Sequence, residues 1–132
     1  MTPNRRYTLP ADLIRSAGLH GVTLERKYSC SVSTLLYEIA CGRPVIVLIH
    51  YGALGNLRQD RNYDDGHWVV VVNVNNDSVF IHDPDWQFPR REEGRALPVP
   101  RAIFESAWAC VKPDGKSDGN TPNQCLTVVP RV

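Results

Sequence analysis

Residues 66–83 read Gly66-His67-Trp68-Val69-Val70-Val71-Val72-Asn73-Val74-Asn75-Asn76-Asp77-Ser78-Val79-Phe80-Ile81-His82-Asp83, and this stretch decides the fold class. Two β-branched runs flank Asn75-Asn76-Asp77, residues that tolerate positive φ, so the pattern predicts an antiparallel hairpin. A run such as Trp68–Val72, with no polar side, predicts a strand covered on both faces. Upstream, Val45-Ile46-Val47-Leu48-Ile49 repeats that signature directly after Gly42-Arg43-Pro44. There the glycine ends a helix and the proline forbids its continuation. That helix is marked by Ser31 as N-cap and by Val32, Leu35, Leu36, Ile39 and Ala40 at helical spacing.

Working outward, Thr8, Pro10 and Asp12 predict a first helix that runs to about Ala17, with Gly18 as its left-handed exit. Leu19–Ser29 is polar and reads as irregular. Beyond the hairpin, Asp83-Pro84-Asp85 breaks the second strand, Gln87–Gly94 is a charged loop, and Arg95–Pro98 reads as a short strand. Pro100 opens a third helix to about Ala107. Leu126–Val129 reads as a last strand after the polar stretch Lys112–Gln124. The order helix, helix, strands, helix, strand predicts an α+β fold with a mainly antiparallel sheet. The 132 residues suit one domain spanning residues 1–132.

Fifteen Lys and Arg against fourteen Asp and Glu leave a net charge of +1. Without an excess basic field, no nucleic-acid partner is expected. The longest apolar runs are far too short to span a bilayer, and no charged-then-apolar leader opens the chain. No internal repeat is present. Asn76-Asp77-Ser78 matches a glycosylation sequon inside a tight turn and reads as a chance match.

The hairpin singles out two side chains. If Asn75–Asp77 is a three-residue loop, Val74 pairs with Ser78 and Asp83 falls opposite Val69. His67 is then diagonal to Asp83 on the same face, about 7–8 Å away at Cα and within side-chain reach. A two-residue turn would put the two on opposite faces. An Asp that accepts from one ring nitrogen fixes the tautomer and leaves the other nitrogen as a general base. As bare residues, a strand-opening His and an Asp-Pro turn explain the same pair. His50, His67, His82, Asp83 and Asp85 are five candidate metal ligands, but strand alternation sends His82 and Asp83 to opposite faces. No metal or other cofactor is expected.

There are four cysteines and no C-x-x-C pair, so a zinc site of that type is unsupported. Cys110 and Cys125 bracket a polar stretch and could close it by a disulfide in an oxidising compartment. Cys30 precedes a helix N-terminus, a position that favours thiolate, and is the one candidate nucleophile within the chain. A partly buried structural thiol is the plainer reading of it. Cys41 has no activating feature.

Taken in order, Gly42-Arg43-Pro44-Val45-Ile46-Val47, Gly66-His67-Trp68-Val69-Val70-Val71 and Val79-Phe80-Ile81-His82-Asp83-Pro84-Asp85 resemble the papain-like cysteine peptidase family thirty-nine. Its members include the peptidases that trim double-glycine leaders from bacteriocins, together with a wider set of peptidase-like domains. The resemblance covers about Tyr7 to Trp108 and leaves residues 109–132 as a C-terminal extension. It implies a papain-like α+β fold, or its C-terminal portion. It also implies that His67 and Asp83 occupy the His and Asp positions of a catalytic triad. The family's nucleophilic Cys and its oxyanion-holding Gln lie on an N-terminal helix, and neither has a counterpart in residues 1–132. Losing such an oxyanion donor costs on the order of 3 kcal/mol of transition-state stabilisation.

The expectation is therefore a peptidase-like domain without its own nucleophile that binds an extended peptide or a neighbouring subunit. The alternative is part of an active cysteine peptidase whose Cys lies upstream of Met1 or on a partner. Without the family's N-terminal helix, one face of Val45–Ile49 and Val69–Val72 should lack cover. A homo-oligomer, another subunit, or the segment Cys110–Val132 would then be needed to cover it.

Overall fold

The computed structural model describes residues 9–57, 66–84, 91–110 and 122–130. The chain runs α1 (Pro10–Leu19), β1 (Leu24–Lys27), α2 (Val32–Ala40), β2 (Val45–His50), β3 (Gly66–Val74), β4 (Ser78–His82), β5 (Leu97–Pro100), α3 (Arg101–Ala109) and β6 (Cys125–Val128). A 3-10 segment, Tyr51–Leu57, follows β2. The strands form one six-stranded sheet in the order β1-β6-β2-β3-β4-β5. Every pairing is antiparallel. The fold is α+β, with two of its helices on one face of the sheet.

That face carries the core. Val45, Val47 and Ile49 of β2, Val69 and Val71 of β3, and Ile81 of β4 pack with Leu35 of α2 and with Phe104, Ala107 and Trp108 of α3. Each lies within 1% of complete burial. The Phe104 and Trp108 rings meet at 5.6 Å, and the Trp108 indole N–H donates to the Gln124 carbonyl at 2.9 Å. On the other face Ile46, Trp68, Val70 and Phe80 are half-buried. Cover on both faces was expected for β2 and β3; on the second face Leu48 of β2 and Leu126 of β6 are buried, 3% and 0% exposed, while the β3 residues there stay half-buried. The C-terminal strand does not lie over either face. It enters the sheet between β1 and β2 and completes it edge to edge.

The hairpin corrects one expectation and keeps its consequence. Val74 pairs with Val79, not Ser78, so the turn has two central residues, Asn76 and Asp77. The Asn75 side-chain oxygen accepts from the Asp77 and Ser78 amides at 2.8 and 2.7 Å, which stabilises the tighter turn. The register then shifts between Val71 and Asn73, because Val72 is an extra, bulged residue. A turn shorter by one residue and a bulge longer by one cancel. Val70 therefore pairs with His82, and continuing that register sets Asp83 opposite Val69. Asn73 is the sequence trace of the bulge. In a regular strand it would point into the core beside Val71; with the bulge, it is exposed and Val74 is buried.

Other boundaries move. Leu24–Lys27, expected to be irregular, is an edge strand paired with β6. Leu-Glu-Arg-Lys has little intrinsic strand preference, and its partner decides the matter. Gly18 lies inside α1, and the left-handed residue is Gly21 (φ 77°). Gly42, also at φ 77°, ends α2 as expected. Pro100 closes β5 and leads into α3 at Arg101. Thr8 lies outside the described residues, and the Asp12 carboxylate accepts from the Leu9 amide at 2.9 Å.

Candidate functional site

His67 enters on the second residue of β3, paired with Ile49 of β2, so its ring lies on the helical face at one end of the sheet. Asp83 follows the last residue of β4 and reaches the same end. The ring Nε2 of His67 is 2.7 Å from Asp83 Oδ1, and the carboxylate is fully buried while the His67 side chain keeps 16% exposure. A carboxylate removed from water needs partners on both oxygens. The second oxygen, Oδ2, accepts from the Tyr51 hydroxyl at 2.8 Å. The Asp83 amide donates to the Gly94 carbonyl at 2.7 Å, which ties the turn after β4 to the segment before β5.

Tyr51 was not singled out in the sequence. It follows His50 at the end of β2, is fully buried, and holds its ring 4.3 Å from the His67 imidazole, centroid to centroid. The signal that could have found it is register. Once Ile49 pairs with His67, the residue two beyond Ile49 sits at the same sheet end. Tyr51 thus braces both members, one by a hydrogen bond and the other by ring contact. Tyr51→Phe should cost about 1.5–3 kcal/mol, the usual contribution of a hydrogen bond to a charged group. Urea unfolding measures this, and a loss under about 0.5 kcal/mol would show that the hydroxyl contributes nothing to holding Asp83.

With Nε2 directed at Asp83, the other ring nitrogen, Nδ1, is the one that can take a proton from a reacting group. The carboxylate fixes the tautomer and stabilises the imidazolium that forms.

Cys30 is not brought to this pair. It is buried, and its Sγ lies 3.1 Å from Cys125 Sγ and 3.7 Å from the Tyr28 carbonyl. Cys125 sits opposite Val47, on a strand separated from β3 by β2. Burial, with Cys30 beside it, pushes the Cys125 thiol up from its ordinary range. The Cys110–Cys125 link that their spacing left open is not formed. Cys110 is exposed at the end of α3, near the Ser106 hydroxyl, while Cys125 points into the core.

The candidate metal ligands separate as well. His82 is exposed on the other face of the sheet, where its Nδ1 accepts from the Ala96 amide at 2.9 Å. His50 alternates with Ile49 and so also leaves the core face. Asp85 lies outside the described residues. Among the described residues no three His, Cys, Asp or Glu side chains gather as a metal site, and no helix is long and apolar enough to cross a membrane. An open pocket of about 660 Å³ is lined by Val70, His82, Asp83 and Arg95 among others.

Comparison with known proteins gives the family and the fold. No curated protein matches the chain. A crystal structure described as a C39-like peptidase from Bacillus anthracis superposes with a TM-score of 0.61 at 20% identity. The match covers 94% of this chain and 60% of that one, so the chain spans less than two-thirds of the length of that protein. At this identity the likeness shows the fold. A family model matches residues 5–114, a segment that contains α1 to α3 and both members of the His67–Asp83 pair. The chain belongs to the Peptidase_C39 like family.

Proposed function

We propose that residues 1–132 form the base-bearing half of a thiol-peptidase-type site, with His67 as the general base and Asp83 as its orienting acid. On this reading the domain by itself holds an extended peptide without cutting it. Hydrolysis requires a thiol from a segment outside residues 1–132 or from a partner. The observation that carries the proposal is the 2.7 Å contact of His67 Nε2 with a wholly buried Asp83 carboxylate. A surface His–Asp pair would need neither that burial nor the second donor from Tyr51. With a thiol present, Nδ1 would take its proton and the thiolate would attack the peptide carbonyl. The imidazolium would then return the proton to the departing amine.

The cysteines support the non-cutting half of the proposal. Cys30 and Cys125 face each other, and Cys41 and Cys110 are exposed at helix ends. The purified chain should leave a mixed peptide library intact, as read by mass spectrometry. Its cysteines should react with an electrophilic thiol reagent no faster than ordinary thiols. Rapid stoichiometric labelling of Cys30 that disappears in His67→Ala would overturn this and make Cys30 the nucleophile.

A further inference from the structure

Two thiols that the proposed chemistry leaves unused meet in the core. Cys30 Sγ and Cys125 Sγ are 3.1 Å apart across a sequence separation of 95 residues. The bond length of a disulfide, about 2.05 Å, is only about 1 Å shorter. What makes the approach more than chance is the main chain on each side. Lys27 is the registered partner of Cys125 in the β1–β6 ladder. Three residues on, the Cys30 amide donates to the Asn123 carbonyl at 2.8 Å. Between them Ser29 adopts φ 53°, a left-handed bend that turns the chain back toward β6. The Asn123 amide in turn donates to the Trp108 carbonyl, and the Trp108 indole donates to the Gln124 carbonyl. Both cysteines are therefore held by backbone contacts that do not depend on the sulfurs.

We infer that Cys30 and Cys125 are a redox pair that closes to an intramolecular disulfide in the folded chain when a small-molecule disulfide is the oxidant. Cys30 is 8% exposed and Cys125 is fully buried, so Cys30 reacts first. Its thiolate attacks one sulfur of the oxidant R–S–S–R, and one R–S⁻ leaves. The Cys125 thiol then loses its proton and attacks the Cys30 sulfur, and the second R–S⁻ leaves. Two protein thiols lose two protons and two electrons, and the oxidant is reduced to two thiols. The link joins the turn before α2 to the strand that completes the sheet. Closing so long a loop restricts the unfolded chain more than the folded one. The inference is independent of the role given to His67.

The test uses the full 132-residue chain carrying Cys41→Ser and Cys110→Ser, which removes the two exposed thiols. The folded protein is incubated with oxidised glutathione, then denatured, alkylated and mapped by mass spectrometry. The expected product is a monomer two hydrogens lighter, unalkylated, with a linked Cys30–Cys125 peptide. Its melting temperature should rise by about 10 °C and fall back on reduction. Two alkylated cysteines, or a stable glutathione adduct without the cross-link, in protein that is folded by circular dichroism would overturn the inference. The same map on the unsubstituted chain guards against a folding defect in the variant. There, a Cys110–Cys125 link would equally overturn it.

Discussion

Asp83→Asn should leave the fold in place and remove the basic nitrogen that the proposed function assigns to His67. The amide has the shape of the carboxylate, and its oxygen can still accept from the Tyr51 hydroxyl. Its NH₂ group then faces His67 Nε2 in place of the accepting Oδ1. A donor at that position forces the neutral ring to carry its proton on Nδ1, which is the nitrogen the reaction needs unprotonated. In any preparation that cuts peptides, the rate should fall by about 10⁴-fold, the scale expected when a catalytic imidazole is held in the wrong tautomer. The chain alone allows a more direct reading. Nitrogen-15 shifts of His67 should report the proton on Nε2 in the native protein and on Nδ1 in the variant. The same tautomer in both would remove Asp83 from its orienting role, whatever the activity did.

The largest effect on stability should come from Trp108→Ala. Trp108 is 1% exposed, packs on Phe104, and gives its indole N–H to the Gln124 carbonyl, which joins α3 to the strand that completes the sheet. Truncating a buried Trp to Ala costs about 3–5 kcal/mol, and the Gln124 carbonyl also loses this donor. A domain of this size holds about 5–15 kcal/mol in all. The variant should lose a fifth or more of its urea-unfolding free energy and be far more easily melted. Trp108→Phe, which keeps much of the volume but not the donor, should fall between the two. A loss below about 1 kcal/mol for the alanine variant would mean that α3 is not anchored through this residue.

The amino-acid sequence by itself determined the α+β class, the central strands β2 and β3, the β3–β4 hairpin, the helix closed by Gly42, and His67 with Asp83 as the pair worth placing. These features rest on local physics: β-branched runs, helical spacing, and residues that tolerate a turn. Tertiary structure decided what depends on partners distant in the chain. Leu24–Lys27 became a strand because β6 offers it an open edge, which no propensity within those four residues foretells. His67 and Asp83 share a face because a bulge at Val72 offsets a turn one residue shorter than expected, two shifts of opposite sign that local preferences do not count. Tyr51 reaches Asp83 across 32 residues, and Cys30 meets Cys125 across 95, because sheet order brings strand ends and turns together regardless of sequence spacing. Periodicity assigns a side chain to a face. Only register and strand order, set by the packing of the whole sheet, assign it a neighbour.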